Sequence, residues 1–302
     1  MKYIIGVDGG GTKTLGILFD TDGNVVRKVL SGVGNFSVDP EQTVENLFEV
    51  LETLTSGVDI ADLEMIQIGI AGYTNYPHKI ELLDRIQGMY TTRTEIVTDA
   101  EIALYSVKKD SDLDVIMALG GTGSVVMVEH QGKIRFIGGY GHLLGDEGSG
   151  YHLAITALKN IIDQYEKSLP GTKLSNDILA KIEAKNYSEI KNFVYNHPKS
   201  EIARLSEFIA THALEGDIEA IELFKQEGRL LADQAIKAYN TLPGKPEVMI
   251  GLKGGFLLNA PYVKETFVSE LRKAEIRYKM DDSLLDPVYG AYYMAKKHLN
   301  ER

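Results

Sequence analysis

The chain has 302 residues, 44% of them hydrophobic and 25% charged, which is usual for a globular protein long enough to form two domains. Its net charge of −11 disfavours nucleic acid and anionic membrane partners, because phosphate-rich surfaces are bound by clustered Lys and Arg. The absence of cysteine excludes disulfides, thiolate nucleophiles, cysteine-bound zinc and iron–sulfur clusters.

The chain opens with a strand, a glycine-rich loop and a second strand. Strand character over Tyr3–Val7 leads into Asp8–Thr14, with the sequence DGGGTKT, and returns over Leu15–Phe19. Consecutive glycines can adopt positive φ, and successive N–H groups in such a turn can bind phosphate. Because a strand follows rather than a helix, the loop is not a Walker P-loop. The alternative is an ordinary glycine-rich hairpin turn.

Helices and strands alternate through the rest of the first half. After a third strand at Val25–Leu30, apolar spacing predicts helices over Pro40–Thr55 and His78–Tyr90. Strands are predicted over Met65–Ile70 and Thr94–Val97, and a short helix follows the second of these. The predicted order is therefore βββαβαβα.

The same opening recurs in the second half. A strand over Val115–Leu119 leads into Gly120–Ser124, with the sequence GGTGS, and further strands follow at Val125–Glu129 and Ile134–Ile137. This recurrence indicates two copies of one supersecondary plan. Two such hairpins facing each other would hold a polyphosphate from both sides, which makes a plain turn a weaker explanation of either loop.

Most of the later sequence is helical. One amphipathic helix is predicted over Tyr151–Tyr165, and Ile202–Tyr239 is predicted to form two long helices divided at Gly216. We interpret their apolar positions as core and interface, because long exposed helices often carry oligomer contacts.

The C-terminal part returns to alternating elements. A strand over Glu247–Ile250 precedes the pair Gly254-Gly255, which either approaches a ligand or forms a simple strand-to-helix turn. A helix is predicted over Ala260–Ala274. The last helix, Pro287–Leu299, has Asp286 as its N-cap and proline at its first position.

Five segments, in order, carry a family resemblance. They are IIGVDGGGTKT, IVTDAEIAL, MALGGTGSVVMV, GGYGHLLGDEGSGYHLA and GLKGGFLLN. The chain resembles the N-acetylglucosamine kinases and the BadF/BadG/BcrA/BcrD ATPases of the sugar kinase, Hsp70 and actin superfamily. The resemblance implies an α/β fold with two ribonuclease-H-like (actin-like ATPase) domains around a central cleft. The first domain would comprise 1–114 plus 286–302, and the second 115–285 with a helical insertion.

The resemblance gives two carboxylates roles in phosphoryl transfer. Asp99 would accept the proton of the attacking sugar hydroxyl, because the reaction needs a base for its acceptor. The alternative is that Asp99 only caps the following helix. Asp8 would hold Mg²⁺ through its hydration shell, since this ion prefers oxygen ligands and retains waters.

The resemblance places ATP on three glycine loops. The phosphate-binding set is Gly9, Gly10, Gly11, Thr12, Lys13, Gly121, Thr122 and Gly123. The adenosine-binding set is Gly254, Gly255 and Phe256. Lys13 would act as a point charge on a terminal phosphate, and its alternative is a solvated surface lysine.

The sugar site would combine residues from both halves. Its predicted members are Asn35, Asp99, Thr122, Gly139, Tyr140, Asp146 and Glu147. Asp146 and Glu147 could instead belong to a solvated turn. Tyr140 stands where animal members commonly have tryptophan, which leaves the exact sugar open. His142 and His152 are interpreted as structural, because no third ligand with suitable spacing accompanies them.

The family resemblance therefore predicts that the protein is an ATP-dependent kinase of an amino sugar. The expected reaction is phosphorylation of N-acetylglucosamine at its 6-hydroxyl, with Mg²⁺ as the metal. Glucosamine, N-acetylmuramate and glucose are alternative substrates, and a nucleotide-dependent binding protein without a sugar is an alternative of another class. A dehydratase-activating ATPase is excluded, because such activators need cysteines for an iron–sulfur cluster. Related enzymes suggest a homodimer. We expect a cytoplasmic location without membrane partners, because the sequence has neither a signal peptide nor a roughly 20-residue apolar span.

Overall fold

The computed structural model describes residues 1–283 and 285–300. The chain divides into two compact units, one formed by Met1–Leu113 with the chain from Asp282 onward and the other by Asp114–Asp281. How these units serve as functional domains stays a prediction, as does a cleft between them. In the described part of the chain, no helix combines the length and apolar character needed to span a bilayer.

Strands and helices are numbered in chain order. The strands are β1 (Tyr3–Gly9), β2 (Thr14–Asp20), β3 (Val25–Ser31), β4 (Leu63–Ile70), β5 (Arg93–Val97), β6 (Asp114–Gly120), β7 (Ser124–His130), β8 (Lys133–Gly138), β9 (Val248–Lys253) and β10 (Tyr278–Met280). The helices are α1 (Pro40–Thr55), α2 (Lys79–Tyr90), α3 (Asp99–Lys108), α4 (Gly150–Glu166), α5 (Lys173–Lys181), α6 (Ile190–Asn196), α7 (Lys199–Leu214), α8 (Ile218–Asn240), α9 (Gly255–Asn259), α10 (Val263–Lys273) and α11 (Pro287–Asn300).

The first unit is built on a five-stranded sheet in the order β3-β2-β1-β4-β5. Strands β1, β2 and β3 pair antiparallel, whereas β4 and β5 extend the sheet in parallel with β1. The predicted order βββαβαβα is confirmed. Alternation along β1 directs Ile5 and Val7 toward one core cluster and Ile4 toward another, so both faces of the sheet are covered.

Helix α11 returns to this first sheet and packs closely against it. A Cβ at Gly290 would overlap the carbonyl oxygen of Ile102 on α3, and a Cβ at Gly6 on β1 would lie 3.0 Å from the carbonyl oxygen of Val288. Glycine at both positions therefore allows backbones to approach where a side chain would separate them. The segment that precedes α11, including Asp286, is fixed to the first unit in this way.

The second unit repeats the plan of the first. Its sheet has the order β10-β9-β6-β7-β8, with β6, β7 and β8 antiparallel and β9 parallel to β6. Strands β1 and β6 have the same sequence of buried and half-buried positions. The predicted α/β fold with a repeated motif is confirmed. In the same position along the strand, β6 has Leu119 where β1 has Asp8, so only the first hairpin has a carboxylate at that position beside its glycine loop.

The helical insertion of the second unit comprises α4 to α8. The predicted division of Ile202–Tyr239 into two helices is confirmed, with the break between α7 and α8. Helices α5 and α6 and the three-residue strand β10 were not predicted. The helix predicted over Ala260–Ala274 is confirmed as α10, but it begins at Val263 rather than Ala260, because Tyr262 has a φ of +64°, which is not helical.

Candidate active site

The first glycine loop closes the hairpin between β1 and β2. The Gly10 N–H donates to the Lys13 carbonyl at 2.9 Å, and the Gly34 N–H donates to the Gly10 carbonyl at 2.8 Å. Packing requires glycine at position 9, where a Cβ would lie 2.8 Å from a side-chain carbon of Ile70. By contrast, no atom lies within 4 Å of a Cβ at Gly11. The tip of the loop is therefore open to a ligand.

Asp8 lies at the carboxyl end of β1, among other charges of the first unit. The pKa of Asp8 is raised from its ordinary value of 3.8 to about 6, mainly by burial and also by the carboxylates of Asp99 and Asp286, while Lys13 lowers it. The sequence indicated Asp286 only as a helix cap. The structure adds its charge to this site, where two other carboxylates and one lysine act on Asp8.

Asp99 is the first residue of α3, but it does not cap the helix. The N-cap is Thr98, whose hydroxyl accepts from the Glu101 N–H at 3.3 Å, while the Glu101 carboxylate accepts from the Thr98 N–H at 2.8 Å. The Asp99 carboxylate is half-buried, and burial raises its pKa, although N–H groups of Ala100 and of Asp99 itself lower it. The capping alternative for Asp99 is therefore wrong, and its carboxylate can serve a ligand.

Asn35 reaches the same edge of the first sheet. It forms an isolated parallel bridge with Ala71, the residue that follows β4. Its side-chain oxygen accepts from the Ser37 N–H at 2.8 Å, and its amide nitrogen makes no hydrogen bond within residues 1–283 and 285–300. Because carboxyl ends of parallel strands meet at one edge, the first unit brings Asp8, Asn35 and Asp99 together with the first glycine loop.

The second and third glycine loops lie against each other in the second unit. The Gly121 N–H donates to the Gly123 carbonyl at 2.8 Å and so closes the hairpin between β6 and β7. Gly254 has a φ of +91°, and a Cβ there would overlap the carbonyl of Gly120. The structure therefore joins the predicted phosphate loop to the predicted adenosine loop through direct backbone contact.

A cavity of about 730 Å³ opens beside these two loops, which is a usual size for a small-molecule site. Its walls include Gly121 and Thr122 from one loop and Gly255 and Phe256 from the other. Helix α7 supplies a further wall through Ser200, Ala203, Arg204, Ser206, Glu207, Ala210 and Leu214. The sequence interpretation gave α7 only core and interface roles and missed this wall, because helical periodicity does not tell a cavity from a core.

The predicted sugar residue Asp146 is buried in a strained turn. It is 3% exposed and has a φ of +67°, a conformation that non-glycine residues rarely adopt. One carboxylate oxygen accepts from the Ser124 N–H at 3.2 Å, and the other accepts from the Lys199 ammonium at 2.6 Å. The alternative of a solvated turn is wrong for Asp146. Lys199 was not predicted, since 53 residues separate it from Asp146.

A buried carboxylate anchors the loop around Asp146. Glu227 on α8 is fully buried and accepts from the Gly148 N–H at 2.7 Å and from a ring nitrogen of His152 at 2.9 Å. The hydrogen bond from Glu227 raises the pKa of His152, although burial lowers it. The structural interpretation of His152 thus agrees with the contacts, and Glu227 is the partner that the sequence did not indicate.

The other predicted sugar residues of this unit lie near the same loop. The carbonyl of Glu147 accepts from the Ser124 hydroxyl at 2.7 Å, and the Glu147 side chain is half-buried. Gly139 has a φ of +73°, and a Cβ there would lie 2.7 Å from a side-chain carbon of Val125. Tyr140 is 70% exposed. The second hairpin, the third glycine loop and Gly139–Glu147 therefore lie at one edge of the sheet of the second unit, where β6, β8 and β9 end.

Comparison with known proteins finds relatives and solved structures that match most of the chain. The chain is 30% identical, over 98% of its own length and 99% of the other's, to an N-acetylmuramic acid/N-acetylglucosamine kinase of Clostridium acetobutylicum. It is 26% identical to an N-acetyl-D-glucosamine kinase of Dictyostelium discoideum over 72% of each chain. A solved structure from Chromobacterium violaceum, provisionally named an N-acetylglucosamine kinase, shares the fold with a TM-score of 0.74, 22% identity and coverage of 98% and 99%.

Residues 5–295 of the chain also match the sequence model of one ATPase family. That match covers both units, both glycine hairpins and the carboxylates of the first sheet edge. Together with the full-length relative, it establishes that the chain belongs to the BadF/BadG/BcrA/BcrD ATPase family.

Proposed function

We propose that the protein is an ATP-dependent amino-sugar kinase that phosphorylates N-acetylglucosamine at its 6-hydroxyl. The full-length relative named for this sugar and for N-acetylmuramic acid supports the reaction class. The structural observation that carries the proposal is the half-buried carboxylate of Asp99. Because Thr98 is the N-cap of α3, this carboxylate is not needed to cap the helix. It lies at the same sheet edge as the first glycine loop, where an acceptor hydroxyl and a phosphate can meet.

Asp99 is the proposed catalytic base. Its ionised carboxylate would accept the hydroxyl proton and orient the oxygen in line with the γ-phosphate, which are the two tasks that this reaction leaves to a side chain. Its position at the start of α3 supports the ionised form, because N–H groups at a helix N-terminus favour negative charge. Asn35 lies at the same edge, and its amide nitrogen can donate to a sugar oxygen.

The nucleotide would be held by backbone N–H groups and by the cavity beside the second and third glycine loops. N–H groups of residues 9–13 and 121–123 would bind the phosphates, and the loop of Gly254, Gly255 and Phe256 with α7 would enclose the adenosine. The size of the cavity and its contact with the second hairpin support this arrangement. The proposal requires both units, assigned as the predicted domains 1–114 plus 286–302 and 115–285, to present these edges to one ATP molecule.

The residues around Asp8 fit a hydrated Mg²⁺ ion. The carboxylates of Asp99 and Asp286 both act on Asp8 there, and Lys13 is the cation that acts on it. No group of three side chains in the described residues has the geometry of a direct metal cage, and Mg²⁺ commonly keeps several waters instead. When bound, the ion would supply positive charge to the phosphate oxygens. Asp8 would hold it through its hydration shell.

The sugar specificity is open within one group of substrates. Thr122, Gly139, Tyr140, Asp146 and Glu147 are the proposed contacts from the second unit. N-acetylmuramate, glucosamine and glucose stay alternative substrates, because a few hydrogen bonds decide between such sugars. A cytoplasmic homodimer also stays a proposal, and light scattering on the purified protein would test the dimer.

A coupled assay of ADP release tests the reaction. Purified protein is incubated with ATP, Mg²⁺ and, in turn, N-acetylglucosamine, N-acetylmuramate, glucosamine, N-acetylmannosamine and glucose. We expect the highest kcat/KM with N-acetylglucosamine. ADP release that is the same with and without every sugar would contradict the kinase proposal and favour a nucleotide-dependent binding protein.

Replacement of the base provides the mechanistic test. Asp99→Asn should abolish turnover and leave sugar affinity within about tenfold, because the variant removes an interaction needed mainly in the transition state. Asp112→Asn, at an exposed position, is the matched control and should retain full turnover. Near-normal turnover in Asp99→Asn would rule out Asp99 as the base.

A further inference from the structure

Lys199, the first residue of α7, lies directly against the second glycine hairpin. Its ammonium is 2.6 Å from Asp146 Oδ2, and a Cβ at Gly123 would lie only 2.8 Å from the same ammonium nitrogen. The next residue of α7, Ser200, is already part of the cavity wall. A positive charge thus lies against the hairpin and next in sequence to a residue of the cavity wall, where nothing in the sequence indicated one.

The ion pair with Lys199 engages Asp146, which the proposed function assigns to sugar binding. Asp146 is 3% exposed, and both of its carboxylate oxygens are engaged, one by Lys199 and one by the Ser124 N–H. A sugar hydroxyl that donates to Asp146 would therefore compete with Lys199 or with the Ser124 N–H for one of these oxygens. The side chain of Lys199 is 30% exposed, so it can leave Asp146 without unfolding α7.

We propose that Lys199 is a phosphate-binding residue of the nucleotide site, and that it pairs with Asp146 while both ligands are absent; this rests on the proposed function. Phosphate held by the N–H groups of Gly121–Gly123 competes with Asp146 for the ammonium, because a polyphosphate offers more negative charge than one carboxylate. When Lys199 moves to phosphate, Asp146 becomes a free acceptor for a sugar hydroxyl.

The pair therefore couples the two substrates. Whichever ligand binds first breaks the contact between Lys199 and Asp146, and the second ligand binds without that cost. Such coupling is reciprocal, so nucleotide strengthens sugar binding by the same factor by which sugar strengthens nucleotide binding. We expect a factor of about ten, within the usual range for coupled sites.

Calorimetry with a non-hydrolysable ATP analogue, Mg²⁺ and N-acetylglucosamine tests this without turnover. Lys199→Met should weaken binding of the analogue by about tenfold or more, as expected for loss of a charged contact to phosphate. Sugar binding without nucleotide should be unchanged or tighter, and the coupling should fall below about twofold. Lys199→Arg, which keeps the charge, should recover much of the nucleotide affinity.

Two further variants separate phosphate binding from a structural role. Asp146→Asn should weaken sugar binding while the analogue binds as well as before or more tightly, because Lys199 is then free. The double variant Lys199→Met with Asp146→Asn leaves no unpaired buried charge, yet it should still bind the analogue weakly. If Lys199 only fixed the loop, the double variant would recover nucleotide affinity, and that result would overturn the proposal.

A second lysine–aspartate pair of equal length provides the control. Lys237 lies 2.6 Å from Asp233 on the exposed face of α8, so Lys237→Met should leave both affinities unchanged. Analogue binding within twofold of wild type in Lys199→Met would also overturn the proposal. Wild-type protein that phosphorylates none of the sugars, while Lys199→Met still loses affinity for the analogue, would instead contradict the proposed function alone.

Discussion

Replacing Asp8 with asparagine should stabilise the folded protein at neutral pH while it impairs the site. The ionised Asp8 carboxylate is half-buried and is repelled by Asp99 and Asp286. Asparagine has nearly the same shape but no charge, so it removes both the burial cost of the charge and the repulsion. The substitution therefore removes an electrostatic cost that lowers the stability of the folded chain but that ligand binding requires.

The magnitude follows from the pKa of Asp8. Its value of about 6 in the folded chain exceeds its ordinary value of 3.8, so the folded state binds the proton more tightly than the unfolded state does. The associated stability is fully present below about pH 4 and is lost as the pH rises through about 6. At about 1.4 kcal/mol per pH unit, the loss amounts to about 3 kcal/mol. Asp8→Asn avoids it.

The assay is urea unfolding of wild type and Asp8→Asn between pH 4 and pH 8. The variant should match wild type near pH 4 and exceed it in free energy of unfolding by up to about 3 kcal/mol at pH 8. The exposed Asp84 provides a control, because Asp84→Asn should change stability by less than about 0.5 kcal/mol at either pH. Binding of the Mg²⁺–nucleotide complex should meanwhile weaken in Asp8→Asn.

Two outcomes would refute this reasoning. If Asp8→Asn is less stable than wild type at pH 8, then hydrogen bonds of the carboxylate outweigh its burial and repulsion. If the variant is more stable by the same amount at every pH, then the gain does not come from the charge of Asp8.

Two glycine substitutions test the packing of the site and of the last helix. Gly121→Val should preserve the thermal midpoint, because no atom lies within 4 Å of a Cβ there, and should weaken nucleotide binding by about tenfold by filling the open side of the hairpin; unchanged affinity would mean that this loop does not bind phosphate. Gly290→Ala should destabilise the first unit by about 3 kcal/mol in urea unfolding, because its Cβ overlaps the backbone of Ile102. Gly88→Ala is the matched helical control: no atom lies within 4 Å of its Cβ, and a slight gain of about 0.5 to 1 kcal/mol is expected. Equal stability of the two alanine variants would contradict the tight crossing of α11 and α3.

The succession of strands and helices along the first unit could be predicted from local signals. Period-two and helical spacing are properties of neighbouring residues, and Pro40 fixed the start of α1 as observed. Predictions failed where the local signal was weak. Strand β10 has only three residues, and the start of α10 at Val263 rather than Ala260 depends on one positive φ at Tyr262.

The charged contacts of the site could not be predicted in this way. Lys199 and Asp146 are 53 residues apart, and Glu227 and His152 are 75 residues apart. Nothing near either residue of such a pair indicates the other, because the contact forms only after the intervening helices have packed. The same holds for the charge of Asp286 near Asp8, which depends on the return of α11 to the first sheet.

The sequence by itself thus determined the repeated strand–loop–strand plan, the family and the candidate carboxylate Asp99, because glycine spacing, periodicity and motif order are all written in short segments. The tertiary structure alone decided which helix walls the cavity, that Thr98 rather than Asp99 caps α3, and that Lys199 neutralises Asp146. The physical reason is range. Backbone preferences act over a few residues, whereas burial and charge pairing act between segments that only the folded chain brings into contact.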